Sequence, residues 1–318
     1  MEELKCTIDS FCSELATSDD SVKALEAVCS DVSSGKISLT QLVEACGEQL
    51  TSTNNTVRNL GTRLLVEALG RSDISTLPAP QLQTLLAFFG ERMKDEACVR
   101  EVLRGAELLV RGAGAALSAP ATAEAAKGLV LAMLRDVHVQ ALALSDRGRV
   151  FAMLGCALDA GAAPPPAELL DGFTGCMDGE RDPRNLRACF GLVPRLAARL
   201  GGGDEKRAEA LLGVCVCYFP ISFTPPPNDT VGITGGMLRA DLLECLLAHP
   251  LFAPTAVDTA LAKLAAGDSA QARLDSMDLL AGLCGRHGAA VGLAGCGRRV
   301  WSALRLQMVE GEEEEVVL

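Results

Sequence analysis

Apolar residues recur at helical spacing along almost the whole chain. Leu82, Leu85, Leu86, Phe89 and Met93 follow the i, i+3, i+4, i+7, i+11 rule of a single helix face. Val99, Val102, Leu103, Ala106, Leu109 and Val110 form a second face, and Leu238, Leu242, Cys245 and Leu246 a third. No segment sustains the period-two alternation of a half-buried strand, so the pattern predicts helices and no sheet. Breakers separate the runs: Ser72-Asp73, Pro78, Pro120, Pro164 to Pro166, Gly201 to Gly203, Pro225 to Pro227, Pro250 and Pro254. The reading is roughly a dozen helices of about 12–20 residues joined by short loops.

Aligning the expected helix starts reveals a repeat. Asp95-x-x-x-Val99-Arg100, Asp182-x-x-x-Leu186-Arg187 and Asp268-x-x-x-Ala272-Arg273 share one frame, and Thr53-x-x-x-Val57-Arg58 shares it with a different first residue. The starts lie one or two steps of about 43 residues apart, inside the period of HEAT and armadillo repeats. Asp146-x-x-x-Val150 is a weaker member without the arginine. The frame predicts an Asp or Thr cap at each helix start, an inward residue four positions on, and an arginine that reaches an acidic residue of the neighbouring repeat. The predicted fold class is therefore all-α: a HEAT/armadillo-type solenoid of stacked helix pairs over residues 1–309, followed by an acidic stretch, 310–318.

Composition agrees with that picture. Apolar residues make up 49% of 318 residues and aromatics only 3%, with a single Trp and a single Tyr. Small apolar side chains suit closely packed helices and disfavour a β-sandwich or barrel. The net charge of −12 makes the chain a poor electrostatic partner for phosphate backbones, so no direct nucleic-acid binding is expected. The longest uncharged run, Ala210 to Asn228, is interrupted by prolines and its helical part is too short to span a bilayer, so no membrane association is expected. The amino terminus, Met-Glu-Glu-Leu-Lys, has no apolar core of a signal peptide.

Candidate chemistry is sparse. The 13 cysteines sit mostly among apolar residues, which reads as free, buried thiols of a reducing compartment. No Cys-x-x-Cys occurs. The nearest pair, Cys215-x-Cys217, would point about 200° apart on a helix and could not easily share a tetrahedral ion. His138, His249 and His287 lie near no cysteine pair in sequence. There is no Gly-x-Ser-x-Gly elbow. Gly201-Gly202-Gly203-Asp204 lacks Walker spacing, and Gly292-x-x-Gly295-x-Gly297 reverses the dinucleotide order. No enzyme, cofactor, metal site or catalytic residue is expected. A direct cysteine-based metal or iron–sulfur carrier remains an alternative, as does a scaffold of phosphatase regulation or nuclear transport.

The segment from Cys217 to Thr234 stands apart. It reads Cys-Tyr-Phe-Pro-Ile-Ser-Phe-Thr-Pro-Pro-Pro-Asn-Asp-Thr-Val-Gly-Ile-Thr and holds the only Tyr. A loop this long is uncommon between stacked helices. It is either a structured insertion held by rigid proline backbone or a partner-contact loop.

This segment, with Met177-Asp-Gly-Glu-Arg-Asp-Pro-Arg-Asn-Leu186, Val137-His-Val-Gln140 with Ser145-Asp-Arg147, and Leu50-Thr-Ser-Thr53 with Val57-Arg58 and Gly61-Thr62, resembles the N-terminal region of the MMS-nineteen family over Leu39 to Cys284. The resemblance implies a HEAT-repeat adaptor, not an enzyme, of the cytosolic iron–sulfur protein assembly (CIA) targeting complex. Such adaptors help deliver clusters to apoproteins of DNA repair and replication, such as helicases and polymerases, in cytoplasm and nucleus, and act in nucleotide excision repair. Its implied partners are the targeting-complex subunits and those apo clients. Family members are several-fold longer, with C-terminal repeats that dock onto the complex, so the resemblance implies a fragment or a form without that docking block. The candidate partner-contact residues are Phe223, Thr224, Pro225, Pro226, Pro227, Asn228 and Asp229 of the Pro-rich segment, with Asp178, Glu180 and Arg181 at a repeat turn.

Overall fold

A computed structural model describes residues 2–13, 18–228, 232–266, 269–293 and 295–316. Among the described residues there are sixteen α-helices and no strand. They are α1 (Glu2–Cys12), α2 (Ser18–Ser33), α3 (Leu39–Ala45), α4 (Gly47–Leu50), α5 (Asn55–Gly70), α6 (Ala79–Arg92), α7 (Val99–Gly112), α8 (Pro120–Asp136), α9 (Leu144–Asp159), α10 (Pro166–Met177), α11 (Pro183–Ala197), α12 (Glu205–Val216), α13 (Gly235–Leu246), α14 (Ala253–Ala266), α15 (Ala270–Leu293) and α16 (Gly297–Val316). The count exceeds the dozen expected, because α3 and α4 are too short to show a periodic face. Glu310 and Glu312 to Glu315 fall within α16. No single described helix is long and apolar enough to cross a membrane.

The chain forms two compact units, Met1–Leu169 and Leu170–Leu318. The division falls just after the Pro164–Pro166 breaker, in the first turn of α10.

In the first unit α5 packs on α7 and α7 on α9, while α6 packs on α8 and on α7. In the second unit α11 packs on α13 and α13 on α15, while α12 packs on α14 and α14 on α16. Most of these helices thus touch both a neighbour in sequence and the next helix but one. That is the two-layer arrangement of an all-α solenoid, in which every helix pair covers its apolar face with its neighbours. The expected faces are the buried ones: Leu82, Leu85, Leu86, Phe89 and Met93, then Val102, Leu103, Ala106, Leu109 and Val110, then Leu238, Leu242, Cys245 and Leu246. Val99 is only half-buried. The layers approach closely at Gly105, where a Cβ would lie 2.4 Å from the Phe89 ring and 2.9 Å from Val66.

Three of the four frame arginines, Arg58, Arg100 and Arg187, reach the next repeat as expected, while Arg273 pairs with no described residue; Arg239, outside that set, adds a similar contact. Arg58 of α5 pairs with Asp95 just before α7, through both Nε and Nη2. Arg100 of α7 pairs with Asp146 of α9 at 3.1 Å, Arg187 of α11 with Asp241 of α13 at 2.8 Å, and Arg239 of α13 lies 3.8 Å from Asp275 of α15. A second line of pairs, with the charges exchanged, runs further along the same helices. Glu67 meets Arg104 at 2.7 Å, Glu107 meets Arg149 at 2.6 Å and Glu244 meets Arg286 at 2.6 Å. The Arg58–Asp95 and Glu67–Arg104 partners are both 37 residues apart, so α5 and α7 run in the same direction in fixed register.

The caps differ from expectation. Only Asp182 caps as the frame predicts, its carboxylate accepting from the Arg184 and Asn185 N–H groups. Asn54, not Thr53, caps α5, accepting from the Thr56 and Val57 N–H groups. Asp95 lies one turn before α7, whose cap position is Cys98, and Asp146 lies inside α9. Both aspartates instead accept from an arginine of the preceding repeat. Asp268 lies outside the described residues.

Most of these pairs are partly exposed, and solvent screening keeps their contribution small. Arg58–Asp95 is different, with side chains only 16% and 15% exposed. The hydrogen bonds from Arg58 hold the Asp95 carboxyl below its ordinary range. A carboxyl depressed by folding stabilises the fold above its unfolded pKa, and that contribution is lost as pH falls through the folded value. Arg58→Ala should cost about 2 kcal/mol near neutral pH. Urea unfolding at about pH 6 and about pH 3 should show the wild type losing more stability on acidification than the variant. An equal loss in both would exclude this pair as a source of stability.

Candidate functional site

The chain leaves α12 at Val216 and returns to helix only at Gly235, because Pro220 and Pro225 to Pro227 remove backbone donors and fix φ. The intervening segment is anchored at both ends. At its start, the Tyr218 hydroxyl donates to the Glu180 carbonyl at 2.7 Å, and its ring packs edge-on against Phe190 at 5.8 Å between centroids. Burial pushes the Tyr218 phenol up, which keeps it a donor. Phe219 and Ile233 are buried. At its end, the Phe223 carbonyl lies where a Cβ on Gly235 would be, 2.5 Å away, so only glycine fits there. Thr234 caps α13 by accepting from the Met237 N–H group.

The turn before α11 is built around a buried carboxylate. Glu180 is 0% exposed. One of its oxygens accepts from the Arg181 and Asp182 N–H groups at 2.8 and 3.0 Å, and the other from Asn185 Nδ2 at 3.1 Å. Gly179 supplies the left-handed φ of +79° that turns the chain into this position. Glu180 is therefore not the exposed contact expected at this repeat turn. It is an internal staple, and its carbonyl holds Tyr218. Among the other expected contacts, Asp178, Arg181, Thr224, Pro226, Pro227 and Asn228 are exposed, while Phe223 and Pro225 are half-buried. Asp229 lies outside the described residues. The Pro-rich segment and the Asp178–Asp182 turn, read separately in the sequence, are thus tied into one feature by the Tyr218 hydrogen bond.

A cleft that the sequence did not signal opens beside this feature. Its volume is about 270 Å³, and Phe219, Ile221, Leu243, Arg239, Asp275 and Asp278 are among the residues lining it.

The thiols of this unit are placed for packing. Cys176, Cys189, Cys215 and Cys245 are buried. Burial pushes Cys176 up to about 12 and Cys189 and Cys245 well above the ordinary thiol value. A thiol held protonated is a poor ligand and nucleophile. Cys215 points inward to the Leu211 carbonyl and Cys217 is exposed, the divergence their spacing predicts. Among the described residues no three His, Cys, Asp or Glu side chains are grouped to hold a metal ion.

A model of the family described as Dos2-interacting transcription regulator of RNA-Pol-II, the MMS19 N-terminal region, matches residues 43–310, which include both halves of the stapled feature. The chain belongs to the MMS19 family. It is 33% identical to the MMS19 nucleotide excision repair protein homolog of Danio rerio over 291 residues, 90% of this chain and 27% of that protein. It is 30% identical to the Homo sapiens homolog over 298 residues, 92% of this chain and 28% of that one. The Arabidopsis thaliana homolog is 31% identical over 280 residues, 86% of this chain and 24% of that protein. The chain thus spans about a quarter of the length of these MMS19 relatives.

Within this MMS19 chain, Gly235 and Tyr218 decide whether the segment stays folded down. Alanine at an ordinary helix position gains up to about 1 kcal/mol over glycine. Gly235→Ala should instead cost about 2 kcal/mol, because the new methyl displaces the Phe223 carbonyl. Tyr218→Phe should cost about 1 kcal/mol through the lost hydrogen bond. Urea unfolding measures both, and hydrogen exchange should rise selectively across 219–224. Stabilisation by Gly235→Ala would show that the segment does not rest on α13.

Proposed function

We propose that the chain is a non-enzymatic protein-interaction scaffold, acting in delivery of iron–sulfur clusters to proteins of DNA repair and replication and thereby in nucleotide excision repair. One observation carries the reading: the MMS19 family match runs through both compact units and takes in the stapled feature of the second. The relatives' printed name supports the repair context. The geometry supports the mode of action. Stacked helix pairs give rigid surfaces, and holding two partners on one rigid support raises their effective concentration for each other. The exposed Thr224, Pro226, Pro227 and Asn228, with Asp178 and Arg181 on the turn before α11, are the proposed contact surface. The partners in this reading are subunits of the CIA targeting complex and apo helicases or polymerases, met in cytoplasm and nucleus, with no cofactor bound by the chain itself.

Affinity purification of the tagged chain from cells, followed by mass spectrometry, tests the reading. Iron–sulfur assembly factors or cluster-containing DNA enzymes should be enriched. Replacing Pro226, Pro227 and Asn228 together by alanine should lower their recovery at least fivefold without changing the melting temperature, since all three side chains are exposed. Enrichment of phosphatase subunits or nucleoporins instead would assign the scaffold to another system. Stoichiometric iron or zinc in anaerobically purified protein, lost on replacing Cys215 and Cys217, would make it a carrier.

A further inference from the structure

The cleft between the Pro-rich segment and helices α13 and α15 has a composition that the stapled feature does not need. Its floor and one wall are apolar, formed by Phe219, Ile221, Leu242 and Leu243. Its rim on α15 is acidic. Gln271, Asp275 and Asp278 line it, and Leu274, on the same side of the helix, is 54% exposed. Asp275 already has neighbours: it accepts from Gln271 Nε2 at 2.8 Å, and Arg239 lies 3.8 Å from it. Asp278 is exposed and makes no hydrogen bond or ion pair with any described residue. The rim therefore carries one uncompensated negative charge beside an exposed leucine and an apolar hollow. A volume of about 270 Å³ falls below the range of ordinary small-molecule pockets, about 300–1,000 Å³. It is enough for one large side chain.

We infer that this cleft docks a basic–apolar segment of a partner protein, with one large apolar side chain seated on Phe219, Ile221 and Leu243 and an adjacent lysine or arginine facing Asp278. The complementarity decides the partner's charge: an acidic segment would meet the same sign on the rim and on a chain of net charge −12. The inference rests on the reading of the chain as an interaction scaffold and adds to it a specific seat and a specific chemistry.

The probes are fluorescein-labelled 12-residue peptides built of Ser and Gly around a Phe-Arg-Phe-Lys centre, with a Phe-Glu-Phe-Glu counterpart and a Ser-Arg-Ser-Lys counterpart. Anisotropy titrations use the full chain at low and high salt. The Phe-Arg peptide should bind at least tenfold more tightly than either counterpart and weaken as salt screens the rim. Asp278→Lys should weaken it at least threefold. Ala240→Phe, at an exposed lining position where the new ring fills the hollow, should abolish binding; both variants should melt like the wild type. Equal binding of the acidic counterpart, absence of binding by the Phe-Arg peptide, or binding unchanged by Ala240→Phe would overturn the inference. So would concentration-dependent self-association lost in Ala240→Phe, which would make a second copy the occupant. If partner recovery from cells persists in Asp278→Lys and Ala240→Phe while no peptide binds, the scaffold reading stands and the cleft inference falls. If no partner is recovered while the peptide binds, the reverse holds.

Discussion

The structure depends on one constraint: a two-helix hairpin with apolar residues on more than one face cannot bury them alone. Its partner is the next hairpin, which presents the same need. Once α5 has met α7 and α11 has met α13, same-direction helices lie side by side, and charges at corresponding levels come within reach. The arginine–carboxylate pairs follow from the stacking and fix its register; they do not drive it. Burial of leucine and phenylalanine in the layers contributes far more to stability, while an exposed pair such as Glu244–Arg286 contributes little. The more buried Arg58–Asp95 pair is where register and stability are coupled.

The second unit adds an exception to plain stacking. Where a short turn would suffice, α12 and α13 are joined by a long proline-rich segment, and several particular contacts hold it. The Glu180 carboxylate gathers three donors and shapes the turn before α11. Tyr218 reaches that turn from the segment, and Gly235 lets the Phe223 carbonyl rest against α13. These contacts hold the described residues 218–223 against the second unit, while Pro226 and Pro227 are exposed.

Buried thiols are the other recurrent feature of this unit. Cys189 and Cys245 sit where a small hydrophobe is wanted, and desolvation keeps them protonated. Their abundance reflects close helix packing with small side chains, as does the glycine at position 105 under the Phe89 ring.

Local physics was legible in the sequence. The helical faces, the all-α class, the Asp182 cap, the opposed directions of Cys215 and Cys217 and the reach of Arg58, Arg100 and Arg187 all follow from periodicity and spacing within one or two repeats. Tertiary structure decided what depends on partners distant along the chain. Asp95 and Asp146 became arginine partners because the neighbouring repeat delivered a guanidinium to them. Glu180, charged and set among polar residues, became buried because Asn185 and two backbone donors close around it while Tyr218 holds its own carbonyl. The cleft needed Ile221, Ala240 and Asp278 brought together from a loop and two helices, and no periodicity in the chain encodes that meeting.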